Sequence, residues 1–214
     1  MSEADSAIGA RLNAQLLAAG LEPVDAATAV RFGSYVSLIL RWNARVNLTA
    51  IRDEEGILSR HVVESIEVAR ALPDGISTLL DFGSGAGVPG IPIALCRPEI
   101  AVTLAESQGK KAGFLREAVR VLGLRAAVHG ERAELLRDRF GCVTMRAVDR
   151  MAEAVVVAAG LVEPGGWLAV MTTEAGAELV RAAAGREFSW SHPLSLAGGE
   201  QRVLAMGQRI SSGA

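Results

Sequence analysis

The sequence predicts an α/β protein, built as one mainly parallel sheet of seven strands, the last of them antiparallel, with a helical cap ahead of it. Residues 1–73 carry helical periodicity with no strand signal between the helices. From residue 76 onward, short apolar runs alternate with helical ones, as they do when a chain winds a parallel sheet through right-handed crossovers. The final two runs have no helix between them, only Pro193 and the Gly198-Gly199 pair, which predicts a closing antiparallel hairpin.

The elements follow in order. Helices are expected over Ala7–Ala19, Asp25–Trp42 and Asp53–Leu72. In the second, Val30, Tyr35, Leu38, Ile39 and Trp42 recur at three- and four-residue steps and form one apolar stripe, with Asp25 as N-cap. In the third, Asp53 caps, Ile57, Leu58, His61, Val62, Ser65 and Ile66 share a face, and Pro73-Asp74-Gly75 ends the helix. Strands are expected over Ser77–Phe82, Ile100–Ala105, Ala126–His129, Cys142–Ala147, Trp167–Thr172, Phe188–Ser191 and Arg202–Met206. The helices between them are Ile91–Cys96, Gly109–Leu122, Ala133–Asp138, Met151–Val162 and Ala175–Ala184. The chain thus divides into a cap, 1–73, and a compact sheet domain, 74–214.

Composition sets the outer limits. With 214 residues, half of them hydrophobic, the chain suits one domain of ordinary size with an appendage. Its longest apolar stretch, Ala154–Val162, is far short of the roughly 20 residues that span a bilayer, so no membrane span is expected. The start, Met1-Ser2-Glu3-Ala4-Asp5, lacks the basic and apolar regions of a secretory signal, which predicts a cytoplasmic location. Cys96 and Cys142 fit no metal-ligand spacing and are expected to be packed thiols, with no metal site. The net charge is −2, yet Arg97–Arg150 holds eleven Lys or Arg against seven Asp or Glu. Such a local basic face suits phosphates, and it equally suits a solvated helix surface.

The chemistry concentrates in Thr78-Leu79-Leu80-Asp81-Phe82-Gly83-Ser84-Gly85-Ala86-Gly87, a strand running into three alternating glycines with a carboxylate at the junction. Glycine spacing of this kind serves dinucleotides and methyl donors alike, because a missing Cβ lets backbone approach a ligand. A diphosphate favours bare amides at a helix start and disfavours a nearby acid. S-adenosylmethionine carries sulfonium and ammonium charges, which Asp81 would complement directly or through water. Glu106, nineteen residues after Gly87 at the end of the second strand, is placed to accept hydrogen bonds from ribose hydroxyls in either case. Glu163-Pro164-Gly165-Gly166-Trp167 is expected to turn tightly into the fifth strand. Seven strands with this ending describe a Rossmann-like methyltransferase sheet better than a dehydrogenase.

Several separated motifs then resemble one family. They are Trp42-Asn43 with Asn47-Leu48-Thr49, Arg60-His61 with Glu64-Ser65, the block from Asp81 to Pro92, Gly109-Lys110-Lys111 with Phe114-Leu115, Arg132-Ala133-Glu134, and Arg146-Ala147. From about Arg41 to Ile210 the chain resembles the RsmG (GidB) guanine-N7 methyltransferases of bacterial small-subunit ribosomal RNA. The resemblance implies a class I fold using S-adenosylmethionine, with S-adenosylhomocysteine as product and 16S rRNA or the small subunit as partner. It implies that Gly83 and Val88 line the donor pocket, to which the glycine loop itself adds Asp81 and Gly85, that Ala133 and Glu134 border the adenine, and that Arg146 completes the pocket edge. It makes Lys110, Lys111 and Arg132 candidates for phosphate contact. Two departures stand out: Glu64 replaces a usual Asp, and Met171-Thr172-Thr173 replaces a lysine-glycine pair after the fifth strand.

Guanine N7 has a free lone pair, so its methylation needs positioning and no general base. No catalytic acid or base is therefore assigned. The sequence has neither an Asn-Pro-Pro-aromatic loop after the fourth strand, where it reads Met145-Arg146-Ala147-Val148, nor a cysteine in the context of a C5 nucleophile. Arg41, Arg45, Arg52 and Arg60 on the cap, with Lys110 and Lys111, would frame an RNA entrance, and His61 is an RNA contact, a residue that orients a donor-pocket acid, or a satisfied core residue. A monomer is expected. The competing readings are a small-molecule methyltransferase, an NAD-dependent oxidoreductase and a donor-binding scaffold without catalysis.

Overall fold

The computed structural model describes residues 2–146, 150–197 and 201–211. Helix α1 (Glu3–Ala18) opens with a capping box, in which the Ser2 hydroxyl accepts from Asp5 N while the Asp5 carboxylate accepts from Ser2 N. Helix α2 (Ala26–Asn43) is capped by Asp25, which accepts from Ala27 N and Thr28 N at 3.0 Å each. Of the apolar stripe read from the sequence, Tyr35, Leu38 and Ile39 are buried while Val30 and Trp42 are only partly so, and Phe32 and Val36, outside that stripe, are buried beside them.

The third expected helix is present but interrupted. Helix α3 (Glu54–Ile57), capped by Asp53, runs into a π-helical turn over Leu58–Val63 before α4 (Glu64–Ala71) resumes regular pitch. The wider turn re-aims residues 60–64 relative to an unbroken α-helix, and such insertions recur at functional sites.

The sheet contains β1 (Thr78–Phe82), β2 (Ala101–Ala105), β3 (Ala126–His129), β4 (Phe140–Arg146), β5 (Val162–Thr173), β6 (Phe188–Trp190), the two-residue β7 (Leu194–Ser195) and β8 (Arg202–Arg209). Its order is β3-β2-β1-β4-β5-β8-β6, with β7 also paired to β8. The pairs from β3 to β5 are parallel, whereas β8 lies antiparallel between β5 and β6. The antiparallel ending is therefore as expected, with one extra short strand. The glycine pair Gly198-Gly199, Ala147 and Val148 fall outside the described residues.

Helices α5 (Gly90–Cys96), α6 (Gly109–Leu122), α7 (Met151–Gly160) and α8 (Glu174–Ala184) flank the sheet. Strand alternation sends Leu79, Val102, Leu104 and Cys142 into a core shared with α5, α6 and the cap. Leu80, Phe82, Val143 and Met145 enter a second core under α7 and α8. Because Phe32, Tyr35, Ile39 and Leu58 belong to the first core, the cap is fixed to one face of the sheet.

Two expectations are corrected. Residues 133–138 form no α-helix; a single 3-10 turn, Ala133–Leu135, ends in extended backbone at Leu136, because so short a segment gains too few hydrogen bonds to offset helix nucleation. The segment 163–166 is an irregular part of β5, where the pairing shifts between Phe140 and Cys142 and Gly165 adopts φ +78°. No described helix is long and apolar enough to cross a membrane.

Candidate active site

A cavity of about 610 Å³ opens at the carboxyl ends of β1, β2 and β4, where ligands bind in sheets of this topology. Gly83, Ser84, Gly85, Ala86 and Val88 form its floor, Glu106 and Gln108 one side, and Arg60, His61, Lys111, Arg146 and Arg202 much of the remainder. Another concavity, of about 770 Å³, is bordered by Arg31, Ser37, Arg41 and Arg120 and contains none of the residues expected to hold the donor.

The loop after β1 keeps its shape through its own backbone. Ser84 N donates to Ala105 O at 2.9 Å, Gly87 N to Ser84 O at 2.6 Å and Val88 N to Ser84 O at 3.1 Å. Gly85 N donates to Glu106 Oε2 at 3.0 Å, and Gln108 N to Glu106 Oε1 at 2.7 Å. Gly85 sits at φ +55°, where a side chain is strained, and an added Cβ would find only Gly83 O, 3.9 Å away. The space beside it is thus left for a ligand. Tyr35, part of the cap's apolar stripe, reaches the same loop and donates its hydroxyl to Ala86 O at 2.6 Å.

Asp81 occupies a different place from the expected one. Its side chain is fully buried and lies outside the cavity lining, with Oδ1 accepting from the Thr144 hydroxyl at 2.9 Å and Oδ2 from Gly90 N at 3.2 Å. Burial pushes its carboxyl up to about 6, against the opposing effect of the Thr144, Ser84 and Gly90 hydrogen bonds. The reason is packing: Gly90 sits so close that a Cβ there would come within 2.7 Å of Asp81 Oδ2. Asp81 therefore braces the loop against α5, and the carboxylate bordering the cavity is that of Glu106.

The arginine-bearing wall is organised around Glu64, which is fully buried. One of its oxygens, Oε2, faces Arg146 Nη2 at 3.2 Å and Arg202 Nη1 at 3.3 Å. Burial holds the Glu64 carboxyl above its ordinary range, an effect that the charges of Arg146 and Arg202 offset only in part. His61 is buried on the π turn with Nε2 2.8 Å from the Thr49 hydroxyl. Burial, then the charge of Arg146, lowers its pKa to about 4, so the ring is neutral at pH 7. Three buried atoms here, His61 Nδ1, Glu64 Oε1 and Arg146 Nη1, have no hydrogen-bond partner among the described residues.

Of the other residues read from the sequence, Gly83, Gly85, Val88, Glu106, Arg146, Arg60, His61 and Lys111 all border the cavity. Ala133 is buried beside Phe82 and Ala105, and Glu134 is exposed; neither lines the cavity. Lys110 and Arg132 are exposed outside it, while Arg52 donates to Asn43 O and Asn47 Oδ1, tying down the loop after α2. Arg202, Tyr35 and Thr144 were not read as site residues. Arg202 had no local signal, since only the strand order carries it to the wall. Among the described residues no group of three or more His, Cys, Asp or Glu side chains is arranged for a metal.

Comparison with known proteins places this geometry. Residues 29–202 match the family profile described as rRNA small subunit methyltransferase G. The ribosomal RNA small subunit methyltransferase G of Stenotrophomonas maltophilia strain K279a is 41% identical over 207 residues, covering 94% of this chain and 95% of that protein. The protein of the same name from Xanthomonas euvesicatoria pv. vesicatoria is 39% identical over 191 residues, 86% of this chain and 89% of the relative. Among solved structures, an O-methyltransferase family protein from Burkholderia thailandensis aligns with TM-score 0.57 and 17% identity over 87% of this chain and 61% of that one. A SAM dependent methyltransferase from Aquifex aeolicus aligns with TM-score 0.57 and 16% identity over 72% and 93%. At these identities the structures speak to the fold, which is that of the class I methyltransferases.

Proposed function

The chain belongs to the rRNA small subunit methyltransferase G family, and from that premise we propose that it transfers a methyl group from S-adenosylmethionine to N7 of a guanine in 16S rRNA. The observation that carries the donor reading is how the glycine loop uses its amides. Those of Ser84, Gly85, Gly87 and Val88 are bonded within the protein, and the start of α5 is occupied by the Asp81 carboxylate. A diphosphate needs those groups free, whereas a donor without phosphate does not. The bonded amides disfavour a dinucleotide, and Asp81 acts by bracing the loop and not by touching the ligand.

S-adenosylmethionine supplies an electrophilic methyl on a sulfonium centre. The open space beside Gly85 fits its close approach. Each Glu106 oxygen holds one backbone amide and retains a second lone pair, which suits acceptance from two ribose hydroxyls. Gly83 and Val88 border the same space, and Ala133 packs with Phe82 and Ala105 at the ends of β1 and β2; Ala133 with Glu134 is our proposed border of the adenine. Neutral His61 takes up no proton in the reaction, because N7 offers a free lone pair and loses none. The chain's work is to hold and orient. Arg60 and Lys111 at the cavity, with Lys110, Arg132 and Arg52 nearby, form our proposed RNA contacts, positioning the acceptor through phosphates without reading sequence.

The test is incubation of unmodified small subunits with labelled donor, followed by nucleoside mass spectrometry and mapping. The expected product is 7-methylguanosine at one position of 16S rRNA. Label on another base or on a small molecule alone would refute the acceptor assignment. Binding of the RNA should also weaken steeply with added salt, as phosphate contacts require.

A further inference from the structure

We propose that Glu64 is a positioning residue that holds Arg146 and Arg202 as a two-guanidinium clamp for one anionic group in the cavity, a carboxylate or a phosphate; the clamp rests on the donor-site reading above. The three residues come from separate elements: the first residue of α4 just after the π turn, the last described residue of β4 and the first of β8. Both arginines share a single oxygen, Glu64 Oε2, at 3.2 and 3.3 Å. Two cations on one carboxylate leave a surplus positive charge, and both arginines line the cavity.

A pair serving structure alone would be expected to balance its charges and satisfy its hydrogen-bonding atoms. Here the Arg146 side chain is only 9% exposed, yet its Nη1 has no partner among the described residues. An anion at the clamp supplies the missing acceptor. Arg202, with a side chain 33% exposed, forms the more accessible arm. Planar guanidinium groups bind carboxylate and phosphate through paired N–H donors, and a buried acid beneath them fixes their orientation in advance. Within the proposed reaction such an anion has two sources, the amino-acid carboxylate of the donor and a phosphate of the acceptor RNA.

Calorimetry on the full chain separates them. S-adenosylhomocysteine carries the carboxylate, whereas 5′-methylthioadenosine has the same nucleoside and thioether without it. If the donor carboxylate is the anion, Glu64→Gln and Arg202→Gln each weaken S-adenosylhomocysteine by about tenfold or more. They shift methylthioadenosine by less than about twofold, and Glu64→Asp restores part of the loss. If the RNA phosphate is the anion, both nucleosides bind as to the wild type, while KM for small subunits rises about tenfold with kcat held. Equal weakening of both nucleosides, or no change in either nucleoside or in KM, overturns the clamp. Arg202→Gln keeps the test decisive should Glu64→Gln fail to fold. Loss of S-adenosylhomocysteine binding by the wild type itself would instead remove the donor-site reading beneath it.

Discussion

On the glycine-loop part of the cavity, the amides of Ser84, Gly85, Gly87 and Val88 are bonded inside the protein, and Asp81 behind them is bonded to Thr144 and Gly90. On the arginine-bearing part, His61 Nδ1, Glu64 Oε1 and Arg146 Nη1 have no partners among the described residues. Four of the loop amides are bonded before any ligand arrives, whereas the other region has buried side-chain atoms with bonds left to make. On the donor reading proposed above, a loop so bonded gives the donor a rigid seat, because preorganisation lowers the ordering cost of binding. Buried polar atoms normally have partners, so those without them in the second region are what the proposed clamp accounts for.

The largest way to break this contrast is to fill the glycine-loop half. Gly85→Val places branched atoms in the open space and forces a β-branched residue to φ +55°. We expect donor affinity to fall by more than about 100-fold, roughly 3 kcal/mol from strain and exclusion together. Calorimetry with S-adenosylhomocysteine checks it, and unchanged affinity would mean that the ligand sits elsewhere.

Protonation tests the same contrast, because the buried Asp81 in one half and the buried His61 in the other pull stability in opposite directions. Asp81 has its folded pKa raised from 3.8 to about 6, so its contribution is fully present at low pH and is lost as pH rises through about 6. His61 has its folded pKa lowered from 6.5 to about 4, so its contribution is present above 6.5 and is lost as pH falls through about 4. Each amounts to about 3 kcal/mol, and between pH 4 and 6 the two offset each other. Asp81→Asn should therefore leave stability rising with pH across that window, and His61→Gln should leave it falling. Denaturation midpoints at several pH values would contradict the assignments if both variants kept the wild-type slope.

Much of the fold was legible because its signals are local. Asp25 and Asp53 cap where they were read to cap, α6 has the expected bounds, and the missing helix before β8 announces the antiparallel ending. The π turn was not legible, since Leu58–Val63 have ordinary helix-forming side chains and the insertion depends on packing. Residue type foretold that Asp81 mattered but not which way it faced: a residue at the end of a buried strand chooses its side through the pleat and through Gly90 behind it. Arg202 lies 138 residues from Glu64 in the chain, and no spacing rule connects them.

Smaller effects test the edges of each region. Glu106→Ala removes acceptors for the ribose and releases the amides of Gly85 and Gln108, and should weaken the donor by about 1–3 kcal/mol. Lys110→Glu with Lys111→Glu should leave donor affinity within about twofold while raising KM for RNA and flattening its salt dependence. Equal loss of donor and RNA binding in that pair would place the lysines in the donor seat.

The glycine-loop half of the cavity is proposed to take a methyl donor that carries no phosphate, and titration of the wild-type chain with S-adenosylhomocysteine and, separately, with NADH decides it. One S-adenosylhomocysteine should bind per chain, with no heat from NADH. Saturable NADH binding with no response to S-adenosylhomocysteine would overturn the assignment.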